Sequence, residues 1–210
     1  MPPPTAIILA TRNPGKLREI RAILSGLPFR IEGLDAVPGI PEIPEIPEIE
    51  ETGETLEENA LLKARTVYRL TALPSISDDS GLEVDFLGGA PGVRSARFAG
   101  ENATYDDNNR KLLAMLSGAA GGERRARFRC VAAYVGPGIE HLREGRCDGQ
   151  IAHGAKGGNG FGYDPLFIPD GYEMTFGEIS PEIKNSISHR SRAFRSIGEY
   201  LRILFGHTSA

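Results

Sequence analysis

Ala6-Ile7-Ile8-Leu9-Ala10-Thr11-Arg12-Asn13-Pro14-Gly15-Lys16-Leu17-Arg18-Glu19-Ile20-Arg21-Ala22-Ile23-Leu24-Ser25-Gly26 reads as a strand, a turn and a helix in succession. The unbroken apolar run Ala6 to Ala10 suits a buried strand, and Leu17, Ile20, Ile23 and Leu24 fall on one face at helical spacing. Asn13 is a good N-cap and Pro14 a good first helical residue, since its missing N–H removes nothing there, while Gly26 suits the stop. A strand feeding a helix start is a place where backbone amides can hold an anion.

The same alternation continues outward. Residues 38 to 49 carry a Pro-Glu-Ile repeat, too proline-rich for a helix and read as an extended surface linker. The capping box Thr55-x-x-Glu58 announces a second helix to about Leu70, with Lys63 on its apolar stripe. That lysine either snorkels to solvent or aims its charge into a cleft. A strand from Pro74 ends in Ser77-Asp78-Asp79-Ser80-Gly81, followed by the short apolar stretch Leu82 to Leu87 and a glycine-proline loop, Gly88 to Gly92. A helix follows over Thr104 to Leu116. Residues 126 to 135 and 139 to 152 alternate as strands, with the Arg124 to Arg129 cluster expected on a solvated face. Glycines crowd Gly154 to Gly162, a short helix begins at Ser180-Pro181, and an amphipathic helix carrying Phe194, Ile197, Leu201, Leu204 and Phe205 closes the chain. Helices and strands thus alternate from end to end, which predicts an α/β protein organised as a single domain over residues 1 to 210.

Composition narrows the function classes. With 210 residues and 40% hydrophobic content the chain can bury a sizeable core. The 24 Lys+Arg against 28 Asp+Glu give a net charge of -4 with no long basic tract, which disfavours a nucleic acid polymer as partner. No apolar run reaches the ~20 residues of a membrane span, and Met1-Pro2-Pro3-Pro4 does not open a signal segment, so cytoplasmic residence is expected. Cys130 and Cys147 stand apart from any zinc-ligand spacing and read as reduced thiols, Cys130 buried.

Polar clusters fall where elements end, which is where α/β proteins place ligands. Thr11-Arg12-Asn13-Pro14-Gly15-Lys16 offers a hydroxyl, a helix start and a lysine to a polyphosphate, although the Walker A spacing is absent. Asp78 and Asp79 at a strand end, with Glu50 and Glu51 after the proline segment, are hard oxygen donors that suit magnesium. Neighbours on a strand face opposite ways, so only one of Asp78 and Asp79 can enter a shared site. Phe161-Gly162-Tyr163-Asp164 sets an aromatic ring between glycines as a platform for a base, and Lys184 and Ser188-His189-Arg190 add donors for base carbonyls or phosphates. Neither a Ser/His/Asp nor a Cys/His nucleophile arrangement is visible.

In this order and at these separations the clusters resemble the inosine triphosphate pyrophosphatase family. The pieces are Thr11 to Lys16, Glu57-x-Asn59-Ala60 with Lys63-Ala64, Asp78-Asp79-Ser80-Gly81-Leu82, Gly88-Gly89-x-Pro91-Gly92 with Ser95-Ala96-Arg97, Gly160 to Pro165, and Ser188-His189-Arg190, together spanning Ile7 to about Phe205. The resemblance implies an elongated mixed twisted sheet with flanking helices, two lobes around a central nucleotide cleft, and a homodimer. It implies hydrolysis of aberrant purine triphosphates (ITP, dITP, XTP) to the monophosphate and pyrophosphate with Mg2+. By position Asp79 matches the catalytic carboxylate and a magnesium ligand, Glu50 the second magnesium carboxylate with Glu51 as the alternative, and Ser80 a substrate contact. Thr11, Arg12, Asn13, Pro14, Gly15, Lys16 and Lys63 match triphosphate contacts. Phe161, Gly162, Tyr163, Asp164, Lys184, His189 and Arg190 match nucleoside-binding positions, with Phe161 stacked on the base and donors from Lys184, Arg190 and the backbone near His189 selecting 6-keto purines. Two rivals are a septum-inhibitor-type pyrophosphatase, which a substrate panel separates, and a non-catalytic nucleotide sensor, which would bind ITP without turnover.

Overall fold

The computed structural model describes residues 6–34, 46 and 48–206. The elements in order are β1 (Ala6–Leu9), α1 (Pro14–Ile23), β2 (Arg30–Glu32), α2 (Leu56–Thr71), β3 (Ser75–Val84), β4 (Pro91–Gly92), α3 (Tyr105–Met115), β5 (Arg125–Gly136), β6 (Ile139–Ile151), β7 (Phe167–Pro169), α4 (Pro181–Ile187) and α5 (His189–Gly206). The strands form one seven-stranded sheet in the order β2-β1-β3-β5-β6-β7, with β4 pairing β3. The pairs β1–β2 and β1–β3 are parallel, β3–β4 and β6–β7 antiparallel. This is an α/β fold, as the alternation predicted, on a mixed sheet with flanking helices, as the resemblance implied. No helix among the described residues is long and apolar enough to cross a membrane.

The chain packs as two compact units, one of Met1–Asp79, Val131–Gly145 and Arg190–Ala210, the other of Ser80–Cys130 and Arg146–His189. In the first, β1 is buried along its whole length, as its apolar run requires. Asn13 caps α1 and Pro14 takes its first turn. The Thr55–Glu58 capping box starts α2, and Ala72 closes it in the left-handed conformation (φ 54°). Two serines fasten β3 to α2: Ser75 Oγ donates to Ala64 O at 2.6 Å and Ser77 Oγ to Ala60 O at 2.5 Å. Because side chains alternate along a strand, this sets Ser75, Ser77 and Asp79 toward α2 and Ile76 and Asp78 the other way. Helix α5 lies close to α1, where a Cβ on Gly198 would stand 3.1 Å from the Leu24 side chain.

The core of the second unit is built from Leu82 and Val84 of β3, Leu112 of α3, Leu116 just past its end, and the rings of Phe128, Phe167 and Phe176. Phe128 and Phe167 meet at 4.7 Å between centroids. Removing such a ring costs about 3–5 kcal/mol.

Four features differ from the sequence reading. Strand β3 does not end at the Asp-Asp pair but runs through Gly81 to Val84, because Leu82 and Val84 still have a core to fill. The short strand β2 carries no strong alternation and is held by pairing with β1. Arg124 is not on a solvated face: it is buried, and its guanidinium donates to the carbonyls of Leu116, Ile151 and Ala152, each at 2.8 Å. Arg127 and Arg129 are partly covered and pair with Glu83. Of the proline repeat, residues 38–45 and 47 lie outside the described residues, while Ile46 is buried with Ile8, Ala10 and Val67 rather than exposed. Cys130 and Cys147 are both buried and not disulfide-bonded.

Candidate active site

The first unit brings together the phosphate-loop residues and the acidic residues. Asn13 Oδ1 accepts from Gly15 N at 2.8 Å and Lys16 N at 3.1 Å, and Thr11 Oγ1 accepts from Asn13 N at 3.2 Å. These bonds fix the loop and occupy two amides that the sequence reading had offered to an anion. Arg12 donates to Ile46 O. A cavity of about 510 Å³ is lined by Thr11, Arg12, Asn13, Pro14, Leu17, Leu34 and Ile46. That volume lies within the range of small-molecule sites.

Lys16 Nζ reaches Asp78 Oδ2 at 3.0 Å, and Arg190 holds the same oxygen through Nη2 at 3.2 Å and Nε at 3.3 Å while donating through Nη1 to Glu19 at 2.7 Å. Asp78 is fully buried. Burial alone would raise its pKa, but Lys16 and Arg190 outweigh it and hold the carboxyl far below the usual range. Asp78 is therefore an ionised anchor for two cations.

Asp79, the next residue, faces α2. Its Oδ2 accepts from Asn59 Nδ2 at 3.2 Å and its Oδ1 lies 3.4 Å from Lys63 Nζ, which also contacts the Glu51 carboxylate. Asn59 Oδ1 accepts in turn from Gly53 N at 2.7 Å, tying the segment after Glu51 to α2. One ammonium thus serves two carboxylates. Burial, with repulsion from Glu51 and Asp78, pushes the Asp79 pKa up in spite of Lys63. Burial also works against ionisation of Glu51, yet Lys63 and Lys16 bring its pKa below the ordinary value. Burial opposes charge on Lys63 as well, and Asp79 and Glu51 overcome it to raise its pKa.

This donor set fits a hard divalent cation. It offers carboxylate oxygens from Glu51 and Asp79 with an excess of negative charge over the lysine between them. The described residues contain no group of three or more His, Cys, Asp or Glu arranged to hold a metal unaided. An ion bound through one or two carboxylates and completed by phosphate oxygens and water needs no such cage. Glu50 is exposed, whereas Glu51 is half-buried on Lys63, so the geometry brings Glu51 into the cluster and leaves Glu50 outside it.

The second unit holds the aromatic loop. Asp164 Oδ2 accepts from Phe161 N at 2.7 Å and from Lys184 Nζ at 2.6 Å. Gly160 has φ +74°, and a Cβ there would lie 2.0 Å from Asp164 Oδ2, so only glycine permits this closure. Lys184 Nζ stands 4.9 Å from the Phe161 ring centroid. Tyr163 is buried with its hydroxyl donating to Ser95 O at 2.9 Å, which makes its side chain an anchor for the loop. Asn109 Nδ2 donates to Gly162 O at 3.0 Å. His189 is buried and stacks on Phe128 with centroids 4.6 Å apart and planes 12° from parallel. Ser80 is half-buried directly after Asp79.

Thr11 to Lys16, Lys63, Asp79 and Arg190 therefore fall in one unit, and Ser80, Phe161 to Asp164, Lys184 and His189 in the other. Arg190, expected among the nucleoside contacts, directs its guanidinium to Asp78 and Glu19. Sequence reasoning passed over Glu19, Asn109 and the contact of Asn59 with Asp79. Asn59 had a signal, since it precedes Lys63 by one helical turn on α2 and must share its face. Glu19 and Asn109 had none beyond being polar residues on helices.

The Ham1 family model matches residues 7–200. The dITP/XTP pyrophosphatase of Streptomyces avermitilis is 48% identical over 205 residues, covering 96% of this chain and 100% of that protein. The solved structure of a HAM1 protein from Coxiella burnetii superposes with a TM-score of 0.84 at 38% identity, over 95% of this chain and 100% of that one. The Staphylococcus aureus Ham1 protein does so with a TM-score of 0.80 at 38% identity, over 95% and 99%.

Proposed function

Since this chain belongs to the Ham1 family, we propose that it hydrolyses aberrant purine nucleoside triphosphates (ITP, dITP and XTP) to the monophosphate and pyrophosphate. The naming of its 48%-identical relative as a dITP/XTP pyrophosphatase supports the substrate class. The observation that carries the reaction is Lys63 set between Glu51 and Asp79, an acidic pair of hard donors with a cation already among them. We read the whole chain as one pyrophosphatase domain that works in the cytoplasm as a homodimer.

Glu51 and Asp79 would hold Mg2+ together with phosphate oxygens, and the ion would supply Lewis-acid withdrawal of charge from the α–β anhydride. Asp79 orients the water that attacks the α-phosphorus and takes its proton. Lys16 and Lys63 stabilise the charge that gathers on the departing pyrophosphate. Asp78 keeps Lys16 and Arg190 in place and does no chemistry itself. Phe161 offers its ring to the base, with Lys184 as a donor beside it. No protein nucleophile is needed, because phosphoryl chemistry rests on positioning and charge.

Product analysis tests the reading. ITP should give IMP and pyrophosphate; inosine diphosphate and orthophosphate as first products would overturn it.

A further inference from the structure

Tyr105 opens α3 and is 47% exposed. Its backbone is nonetheless fixed by the helix cap: Thr104 Oγ1 accepts from Asp107 N at 3.2 Å, and Asp107 Oδ2 accepts from Thr104 N at 2.9 Å. The Tyr105 ring centroid lies 6.3 Å from that of Phe161, with the two planes 36° apart. One turn along, Asn109 is buried and donates to the backbone carbonyl of Gly162. Residues four apart share a helix face. A single face of α3 thus grips the aromatic loop by its backbone and sets a second ring beside Phe161.

An aromatic ring left half in water at a rigid helix start gives up burial that it would gain by folding inward. Its neighbour is the ring to which the base-binding role has been given. A phenyl ring covers about one of the two fused rings of a purine, and a second ring 6.3 Å away and tilted by 36° can close on the far edge of a bicyclic base lying on Phe161. A monocyclic pyrimidine could use only one of the two rings. We infer that Tyr105 is a base-contacting residue of the nucleoside subsite and that it favours purines over pyrimidines by enlarging the Phe161 platform. This rests on the proposed function above.

The chain contains no tryptophan, so Tyr105→Trp introduces a single indole at this position. Its fluorescence should be quenched saturably by IMP, weakly by UMP and not by pyrophosphate. In parallel, Tyr105→Ala should raise KM for ITP about tenfold with kcat within about twofold, since stacking acts on bound substrate and transition state alike. Tyr105→Phe should restore KM. Absence of quenching by IMP in a Tyr105→Trp protein that hydrolyses ITP overturns the inference, as does an unchanged KM in Tyr105→Ala or equal quenching by IMP and UMP. The wild-type protein is assayed first: failure to hydrolyse ITP defeats the proposed function and this inference with it, whereas normal wild-type turnover with a silent Tyr105 defeats the inference alone.

Discussion

Asp78 and Asp79 are adjacent in β3 yet answer to different partners, Asp78 to Lys16 and Arg190, Asp79 to Asn59 and Lys63. The strand pleat separates them, and their surroundings shift their pKa values in opposite directions. In the proposed mechanism these two neighbouring carboxylates divide a structural and a chemical task, and exchanging either for its amide should reveal which is which. Asp79→Asn should cut kcat at least about a hundredfold, the scale of a lost general base. Its melting temperature should hold or rise, because the amide relieves repulsion with Glu51 while Lys63 keeps its pairing with that residue. Asp78→Asn should instead lose about 3–5 kcal/mol of stability by leaving the buried Arg190 undercompensated. Thermal melts beside ITP kinetics check both, and a collapse of the Asp79→Asn fold would reject the assignment.

The same pair fixes a pH dependence. Asp78 is ionised in the native state far below the ordinary 3.8, so its stabilising contribution is fully present above that value and is lost as pH falls beneath it. The stability gap between wild type and Asp78→Asn should accordingly be constant from neutral pH down to about 4 and narrow below that. Denaturant melts across that window measure it. A gap that widens on acidification would show that Asp78 is not the depressed group.

Lys63 leads to a third expectation, about metal. Its ammonium already partly neutralises Glu51 and Asp79, so an entering cation competes with it. Lys63→Met should therefore bind Mn2+ more tightly than wild type in calorimetry, while turning over ITP more slowly for want of charge on the pyrophosphate side. For wild type, adding Mg2+ should raise the melting temperature and chelation should stop turnover. Weaker Mn2+ binding in Lys63→Met would mean that the lysine organises the carboxylates rather than competing for them.

How much of this was legible beforehand depends on what each residue needed. The β1–α1 unit was readable because burial, capping and proline placement all pointed the same way over a short stretch. Alternation showed that Asp78 and Asp79 had to face opposite ways, and only the resemblance chose Asp79 as the one for the site. The partner of Asp79 could not be read, since Glu50 and Glu51 differ by one position in a segment without regular structure and only the fold decides which one meets Lys63. Arg124 was misplaced because neighbouring arginines suggested solvent, while the carbonyls it binds come from residues 8, 27 and 28 positions away. Long-range partners of this kind leave no periodic trace.

Base selection is where the structure most changes the expectation. Sequence reasoning shared the donors for a 6-keto group among Lys184, Arg190 and the backbone near His189, but the Arg190 guanidinium is directed at Asp78 and Glu19 in the first unit. Lys184 lies beside the Phe161 ring, 4.9 Å from its centroid and held by Asp164 at 2.6 Å. An ammonium has donors and no acceptor, so it can satisfy the oxygen at position 6 of hypoxanthine or xanthine but meets the amino group of adenine donor against donor. Each such mismatch is worth about 1–3 kcal/mol, which is roughly a factor of 5 to 150 in selectivity. Lys184→Met should thus lower the ITP to ATP ratio of kcat/KM about tenfold or more, beyond any loss common to both substrates from leaving Asp164 without its partner. Arg190→Ala should lower both rates and the melting temperature together and leave the ratio unchanged. The ratio is the deciding measurement because general damage to the fold does not move it; a ratio that follows Arg190 and ignores Lys184 would return base selection to the arginine.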